Sequence, residues 1–500
     1  MAEPIYCPRG ARGLPCLPCE ELSTVEEEIR LLNAKRILIR SRVDRAHNPT
    51  SRVPSEIMSK IFTEFVPVDT DESYGVCVGH HRFAPVGHVK GKITTTPILL
   101  SAVCTTWRDI AQSTPQLWTS VSVDLSSEIH FDLLRGWLAR SGMLPLHILI
   151  DASTQELYDI EISEKIIGLF ATYAPRWFSL TITITHSQYF LFSFLHVEDV
   201  DPLMLHALKI VGYDLPDGIT LGRIPNLRKI TMDDLTTRSI QHLNFRTLTN
   251  VEGIFSSVDA VFHIFSNIPG LTHCTFDIAP DNMDDAETFR TTFIHHDSLV
   301  YLNIQLWDSL TDTVLSWLKL PALQHLAVDS LASAVLTVNV ADLINRSSCS
   351  IKTLQINISR EVQEYPSRII PLLQSIPSTE DLEIRCIVQP SPLSIDPLLI
   401  MLSTTTLIVK NSESNTNFLP RLKTFRIIYS EFSWGCLIDM IQAHLDSSAE
   451  LITEDPESNG RPLRSLCFVT GGLKNEIIPE ECSEKLALAK AAGFQITFES

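Results

Sequence analysis

From Leu22 the chain repeats apolar residues at alternating spacings of three and four: Leu22, Val25, Ile29 and Leu32, then Ile39, Val43 and Ala46, with Arg36 where one charge interrupts the series. A 3.5-residue period of this kind predicts a helix over 22–47, with Ser23 and Glu26 spaced for a capping box and Asn48-Pro49 to end it. Two uses fit such a helix, a short coiled coil or packing back on whatever follows. About three heptads with Arg36 in the seam favour packing back.

Two further stripes follow. Val53, Ile57, Ile61 and Phe65 stand four apart, with Met58 and Phe62 beside them and prolines at either end of the stretch, Pro54 and Pro67. This predicts an amphipathic helix with a wide apolar face. Leu99, Leu100, Val103, Trp107, Ile110 and Ala111 form a second stripe, closed by Thr114-Pro115. Between them, residues 67–97 hold Gly, Pro, Thr and charge without a period, so they read as an inserted loop.

Beyond Trp118 the pattern changes to short strands alternating with helices. An apolar-x-x-apolar-x-apolar unit starts at Leu205, Leu227, Leu271, Leu299, Leu323, Ile351, Leu422 and Leu463, with a weaker one at Thr379. As far as Thr379 the starts lie 22, 44 (two repeats of 22), 28, 24, 28 and 28 residues apart. After it the spacing stretches to 43 and 41, so the C-terminal part is irregular. Five units carry a proline two residues ahead of the motif (Pro225, Pro269, Pro321, Pro377 and Pro420), where it ends a helix and sets an extended entry to the strand. These spacings match leucine-rich repeats, in which each unit buries its apolar face only against its neighbours. The expected fold class is therefore α/β: an N-terminal helical domain, then a leucine-rich-repeat-like α/β solenoid with a parallel sheet. The expected domains are a flexible tail over 1–21, the helix 22–47, a helical domain over 50–120 with its 67–97 insertion, and the array over 121–500, irregular after 379.

Composition narrows the function. A chain of 500 residues with 44% hydrophobic residues is too long for one compact core and too apolar for general disorder. A net charge of -19, with no basic stripe interleaved with aromatics, argues against nucleic acid as a partner. No apolar run is long enough to span a bilayer, and the N-terminus, Met1 to Cys16, places prolines and arginines where a signal peptide has its apolar core. Eleven cysteines, mostly inside apolar segments, read as small core residues of a reducing compartment, so a cytoplasmic or nuclear location is expected.

The two N-terminal stripes together resemble the F-box, whose pattern is Leu-Pro-x-Glu-Ile/Leu, Ile-Phe, Val-Cys-x-x-Trp-Arg and Leu-Trp. Pro54, Glu56, Ile57, Ile61, Phe62, Val103, Cys104, Trp107, Arg108, Leu117 and Trp118 stand at matching positions. Val53 in place of the usual leucine and the 67–97 insertion are departures. The likeness covers residues 50–120, and repeats behind it agree with the leucine-rich-repeat subclass. The resemblance implies docking on the Skp adaptor of a cullin-RING ubiquitin ligase, with the following domain holding a protein substrate. The chain would then be a receptor with no chemistry and no cofactor of its own. The expected adaptor-binding residues are Pro54, which can open the helix, the apolar anchor Ile57, Ile61 and Phe62, and Val103. Trp107 and Trp118 read instead as domain core. A repeat scaffold without ligase association is the alternative, and would follow if the insertion prevents docking.

In each strand unit the first, fourth and sixth positions point inward, which leaves the residues between them for cargo. That face would carry Lys229, Thr231, Asp233, Tyr301, Asn303, Gln305, His325, Asp329, Gln355, Asn357, Asp381, Glu383 and Arg385. Its polar groups of mixed sign suit protein recognition. Catalytic motifs are missing: there is no Gly-x-Ser-x-Gly elbow, no His-Glu-x-x-His, and Gly87-His-Val-Lys-Gly-Lys-Ile is too short for a phosphate loop. Cys16 with Cys19, and Cys77 with His80, His81 and His88, lack a second regularly spaced pair, so no metal is expected. His206, His242 and His325 read as repeat-surface or core residues rather than catalytic bases.

Overall fold

The computed structural model describes residues 17–47, 49–65, 96–125, 131–152, 160–184, 202–212, 224–235, 246–255, 258–278, 293–305, 310–329, 334–358, 365–386, 394–407, 418–428, 432–450, 463–469 and 478–499. The tail over 1–16, the 67–95 part of the insertion, the histidines within it, Cys16 and His242 lie outside them. The chain divides into two units: Met1–Val121 with Arg135–Leu144, and Ser122–Leu134 with Pro145–Ser500.

The first unit opens with helix α1, Leu17–His47. It begins five residues before the expected start at 22, because Pro18 sits in the first turn, where its missing N–H has no intrahelical partner to lose. Ser23 therefore lies inside the helix, and Thr24 Oγ1 donates back to Glu20 O at 2.8 Å. The expected packing back is not seen among the described residues: Leu22, Val25, Ile29, Leu32, Ile39 and Val43 are all exposed, so no described residue covers the seam. Three helices follow: α2, Ser55–Glu64, α3, Thr96–Val103, and α4, Thr105–Gln112, with a 3-10 turn over Pro115–Trp118.

The second unit is α/β. Among the described residues fourteen strands lie side by side in chain order in one parallel sheet, from Ser120–Asp124, which spans the boundary between the units, to Gln495–Glu499. Consecutive crossover helices pack on one another, from Val258–Asn267 through Leu310–Trp317, Ala334–Ser347, Tyr365–Gln374, Asp396–Leu407 and Trp434–Glu450 to Glu480–Ala491. The result is a solenoid-like stack of strand–helix units. From Leu302 onward equivalent positions align: Leu302 pairs with Leu326, Leu326 with Leu354, Leu354 with Leu382, and Leu382 with Phe425. All five are essentially buried.

The proline punctuation has a local geometry. Ile268 O accepts from Leu271 N at 3.2 Å, Leu320 O from Leu323 N at 3.2 Å, and Leu419 O from Leu422 N at 3.1 Å, so Pro269, Pro321 and Pro420 each occupy the second position of a β-turn, where proline's fixed φ is favoured. Behind each turn one carbonyl receives two N–H groups from the next unit. Val300 O accepts from Gln324 and His325, Glu380 O from Lys423 and Thr424, and Lys423 O from Arg464 and Ser465, at 2.7–3.0 Å. The ladder thus crosses the irregular part without a break, and the extra residues after Thr379 enter the crossovers rather than the sheet.

Candidate functional site

In the helical unit, Pro54 immediately precedes α2 as its N-cap, and its carbonyl accepts from Ile57 N and Met58 N, both at 3.1 Å. Both α2 and α3 pack on α4 and on the 3-10 turn. The core beneath is aromatic. Phe62 is 1% exposed, its ring 5.0 Å from that of Trp107, whose Nε1 donates to Thr50 Oγ1 at 3.1 Å. Trp118 stands edge-on to Trp137 at 4.8 Å, with its Nε1 on Ala111 O at 2.8 Å and the Arg140 guanidinium 5.0 Å over its ring. Thr114 Oγ1 bridges Ile110 O and Ser59 Oγ at 2.7 and 2.9 Å, which ties α4 to α2. Cys104 is the N-cap of α4: its extended backbone aims Sγ at Trp107 N, 3.4 Å away, so the Cys-x-x-Trp spacing is a helix cap that orients the core tryptophan.

The outer side of the same helices is apolar and uncovered. On α2 and the residue after it, Ile57, Ile61 and Phe65 are 46%, 43% and 63% exposed. On α3, Ile98, Leu99 and Val103 are 40%, 63% and 59% exposed. Of the expected adaptor residues, Pro54, Ile57, Ile61 and Val103 are therefore accessible and Phe62 is not. Its neighbour spacing explains the correction: Phe62 falls one residue past Ile61, about 100° around the helix, and that rotation turns it into the Trp107 core. Phe65 and Leu99 were within the sequence stripes but not singled out. Their four-residue spacing from Ile61 and to Val103 was the available signal.

In the strand unit, the residues between the inward positions form two continuous rows across the sheet. One runs through Lys229, Asn250, His273, Tyr301, His325, Thr353 and Asp381; the other through Thr231, Glu252, Thr275, Asn303, Ala327, Gln355 and Glu383. The structure thus brings most of the expected face together in register. Three of its members are not free surface: Thr231, Asn303 and Asn357 are 7%, 4% and 3% exposed. Flanking strands of a parallel sheet lie about 5 Å away on both sides, so short side chains are covered by longer neighbours. Lys229, Asp233, Tyr301, His325, Gln355, Glu383 and Arg385 are partly exposed and Asp381 is exposed, whereas the side chains of Gln305 and Asp329 lie outside the described residues.

Several side chains of these rows interact with one another. His273 stacks on Tyr301 at 5.7 Å and 25°. Burial first, then the charges of His325 and Lys229, hold the His273 imidazolium pKa below its ordinary value, and burial with Glu252 raises the Tyr301 phenol. Asp233 accepts Gly212 N at 2.9 Å, yet burial pushes its pKa up to about 6. Glu383 is clasped by Arg385 at 3.0 Å and by Arg426 at 3.2 Å. Among the described residues no group of His, Cys, Asp and Glu could hold a metal ion, and no helix is long and apolar enough to cross a membrane.

No protein-family model matches the chain, and no curated protein matches it. A solved structure described as the crystal structure of the Rad7 and Elc1 complex in yeast is similar to it at 10% identity and a TM-score of 0.33, covering 97% of this chain and 98% of that one. The functional reading below rests on this chain's own residues.

Proposed function

We propose that the chain is the substrate-recognition subunit of an SCF-type ubiquitin ligase, with the helical unit docking on the Skp adaptor of the cullin ligase core and the strand face holding a protein substrate. One observation carries the adaptor half. The F-box-like residues split into an inner set, Phe62, Leu117 and Trp118 with Trp107, and an outer apolar set, Ile57, Ile61 and Val103, which Phe65 and Leu99 extend, exposed on helices fixed by that core. Large apolar residues held rigidly in water are the anchors from which protein interfaces are built. The cargo half is supported by the two polar rows, which present both charges and a half-buried tyrosine on a fixed sheet. In this reading the chain contributes no catalysis and needs no cofactor, and it works where the ligase core does, in the cytoplasm or nucleus.

The test is co-purification of the full-length chain with a Skp adaptor, wild type against an Ile57→Asp, Ile61→Asp double variant. Adaptor capture by the wild type and its loss in a still-folded variant are expected. A wild-type chain that captures cargo but no adaptor would leave an interaction scaffold in place of a ligase receptor.

A further inference from the structure

We infer that α1 joins a second copy of this chain through an antiparallel two-helix coiled coil. The observation is an uncovered seam: every described side chain of α1 except Cys19 is exposed, and Leu22, Val25, Ile29, Leu32, Ile39 and Val43 are 49–65% exposed along one helix face. Leu31, Ile37 and Leu38 are exposed as well. A seam through Leu31 and Leu38 would also contain Thr24, Glu28, Lys35, Arg42 and Arg45, so it is polar and cannot compete.

Charge decides both the occupant and its direction. The residues flanking the seam are acidic in the first half of the helix, Glu21, Glu26 and Glu28, and basic in the second, Lys35, Arg40 and Arg42. A parallel pair would set Glu21 against Glu26 and Lys35 against Arg40, and would stack Arg36 on its own copy inside the seam. All three contacts repel. Reversing one helix places Val25 on Val43, Ile29 on Ile39 and Leu32 on Arg36, whose aliphatic stem can cover the leucine while its guanidinium reaches water. It also sets Glu26 beside Arg40 and Glu28 beside Arg42, each pair twice by symmetry, against one like pair, Lys35 with Lys35, at the dyad. The exposed ion pair of Arg30 with Glu27, 2.6 Å, lies on the opposite side of the helix and leaves these charges available. The acidic and basic halves therefore make a second copy of this helix its own complement. Nothing in this assignment depends on adaptor docking.

Sedimentation of the full-length chain over a concentration series tests it. The wild type should show a reversible monomer–dimer equilibrium. Inverting the acidic side (Glu26→Arg with Glu28→Arg) or the basic side (Arg40→Glu with Arg42→Glu) turns four attractive pairs repulsive, and each variant should dimerise roughly a hundredfold more weakly. An equimolar mixture of the two variants should recover wild-type association as a heterodimer, a rescue that loss of helix in either variant cannot mimic. A wild type that stays monomeric throughout, variants that associate like the wild type, or a variant that associates more tightly, as parallel pairing requires, would each overturn the proposal.

Discussion

Leucine and isoleucine meet opposite fates in the two units. In the sheet, Leu302, Leu326, Leu354 and Leu382 occupy equivalent positions of successive units and are 0–1% exposed, because each strand is covered by the helices of its own and adjacent crossovers. In the helical unit, Ile57, Ile61, Leu99 and Val103, like the whole seam of α1, remain in water. Stacked repeats supply partners for their own apolar faces, whereas short helices without such neighbours keep theirs open. Under the proposed function, the comparison says where to look for partners: the exposed apolar surface of the helical unit for an adaptor, and the polar rows on the buried scaffold of the sheet for cargo.

The contrast breaks most sharply with one charge in each place. Leu302→Asp buries an unpaired carboxylate and should cost more than about 4 kcal/mol, enough to abolish cooperative urea unfolding, whereas Leu99→Asp should leave the unfolding curve within about 0.5 kcal/mol of wild type. The reverse assay sharpens it: Ile57→Asp with Ile61→Asp should weaken adaptor binding by at least about a hundredfold with the thermal midpoint unchanged.

Asp233 gives a smaller, pH-dependent effect. Its folded pKa is raised to about 6 from an ordinary 3.8, so the folded chain holds a proton that the unfolded chain has released. Its contribution to stability is therefore present below the unfolded pKa and lost as pH rises through about 4 to 6, by about 1–3 kcal/mol. Asp233→Asn can still accept from Gly212 N and should remove that decline relative to wild type in urea titrations at pH 4 and pH 7. The smallest expected effect lies on the polar rows of the sheet. Tyr301→Ala with His325→Ala should reduce cargo capture about tenfold while costing about 1 kcal/mol or less, read by pull-down beside calorimetry. Asn303 is left out of that pair because its burial would mix the two readouts.

Much of the sheet was legible because its units repeat one apolar spacing with a turn proline, and that spacing fixes which side chains face inward. Units were missed where one residue breaks the spacing. Trp177 takes the first position ahead of Leu180 and Ile182, Gly253 takes the sixth after Leu248 and Val251, and Gly493 takes the first before Ile496 and Phe498, yet Leu180 and Ile182 pair with Leu208 and Ile210, Gly253 with Phe276, and Ile496 and Phe498 with Leu466 and Phe468. The exposed apolar face of α2 and α3 was partly legible, since four-residue spacing gives a stripe but not its centre; Phe62 and Ile61 are adjacent in sequence and on different sides of the helix. Burial of Thr231, Asn303 and Asn357 was not legible, because it depends on the size of side chains on the adjacent strands. Nor was the openness of α1, since a heptad pattern specifies a partner without saying whose.

The measurement that most directly tests the central claim is a calorimetric titration of the full-length chain with a purified Skp adaptor, in wild type and in the Ile57→Asp, Ile61→Asp variant. One-to-one binding by the wild type, lost in a variant with an unchanged thermal midpoint, is the predicted result. Absence of binding in the wild type, or equal binding by both chains, would contradict it.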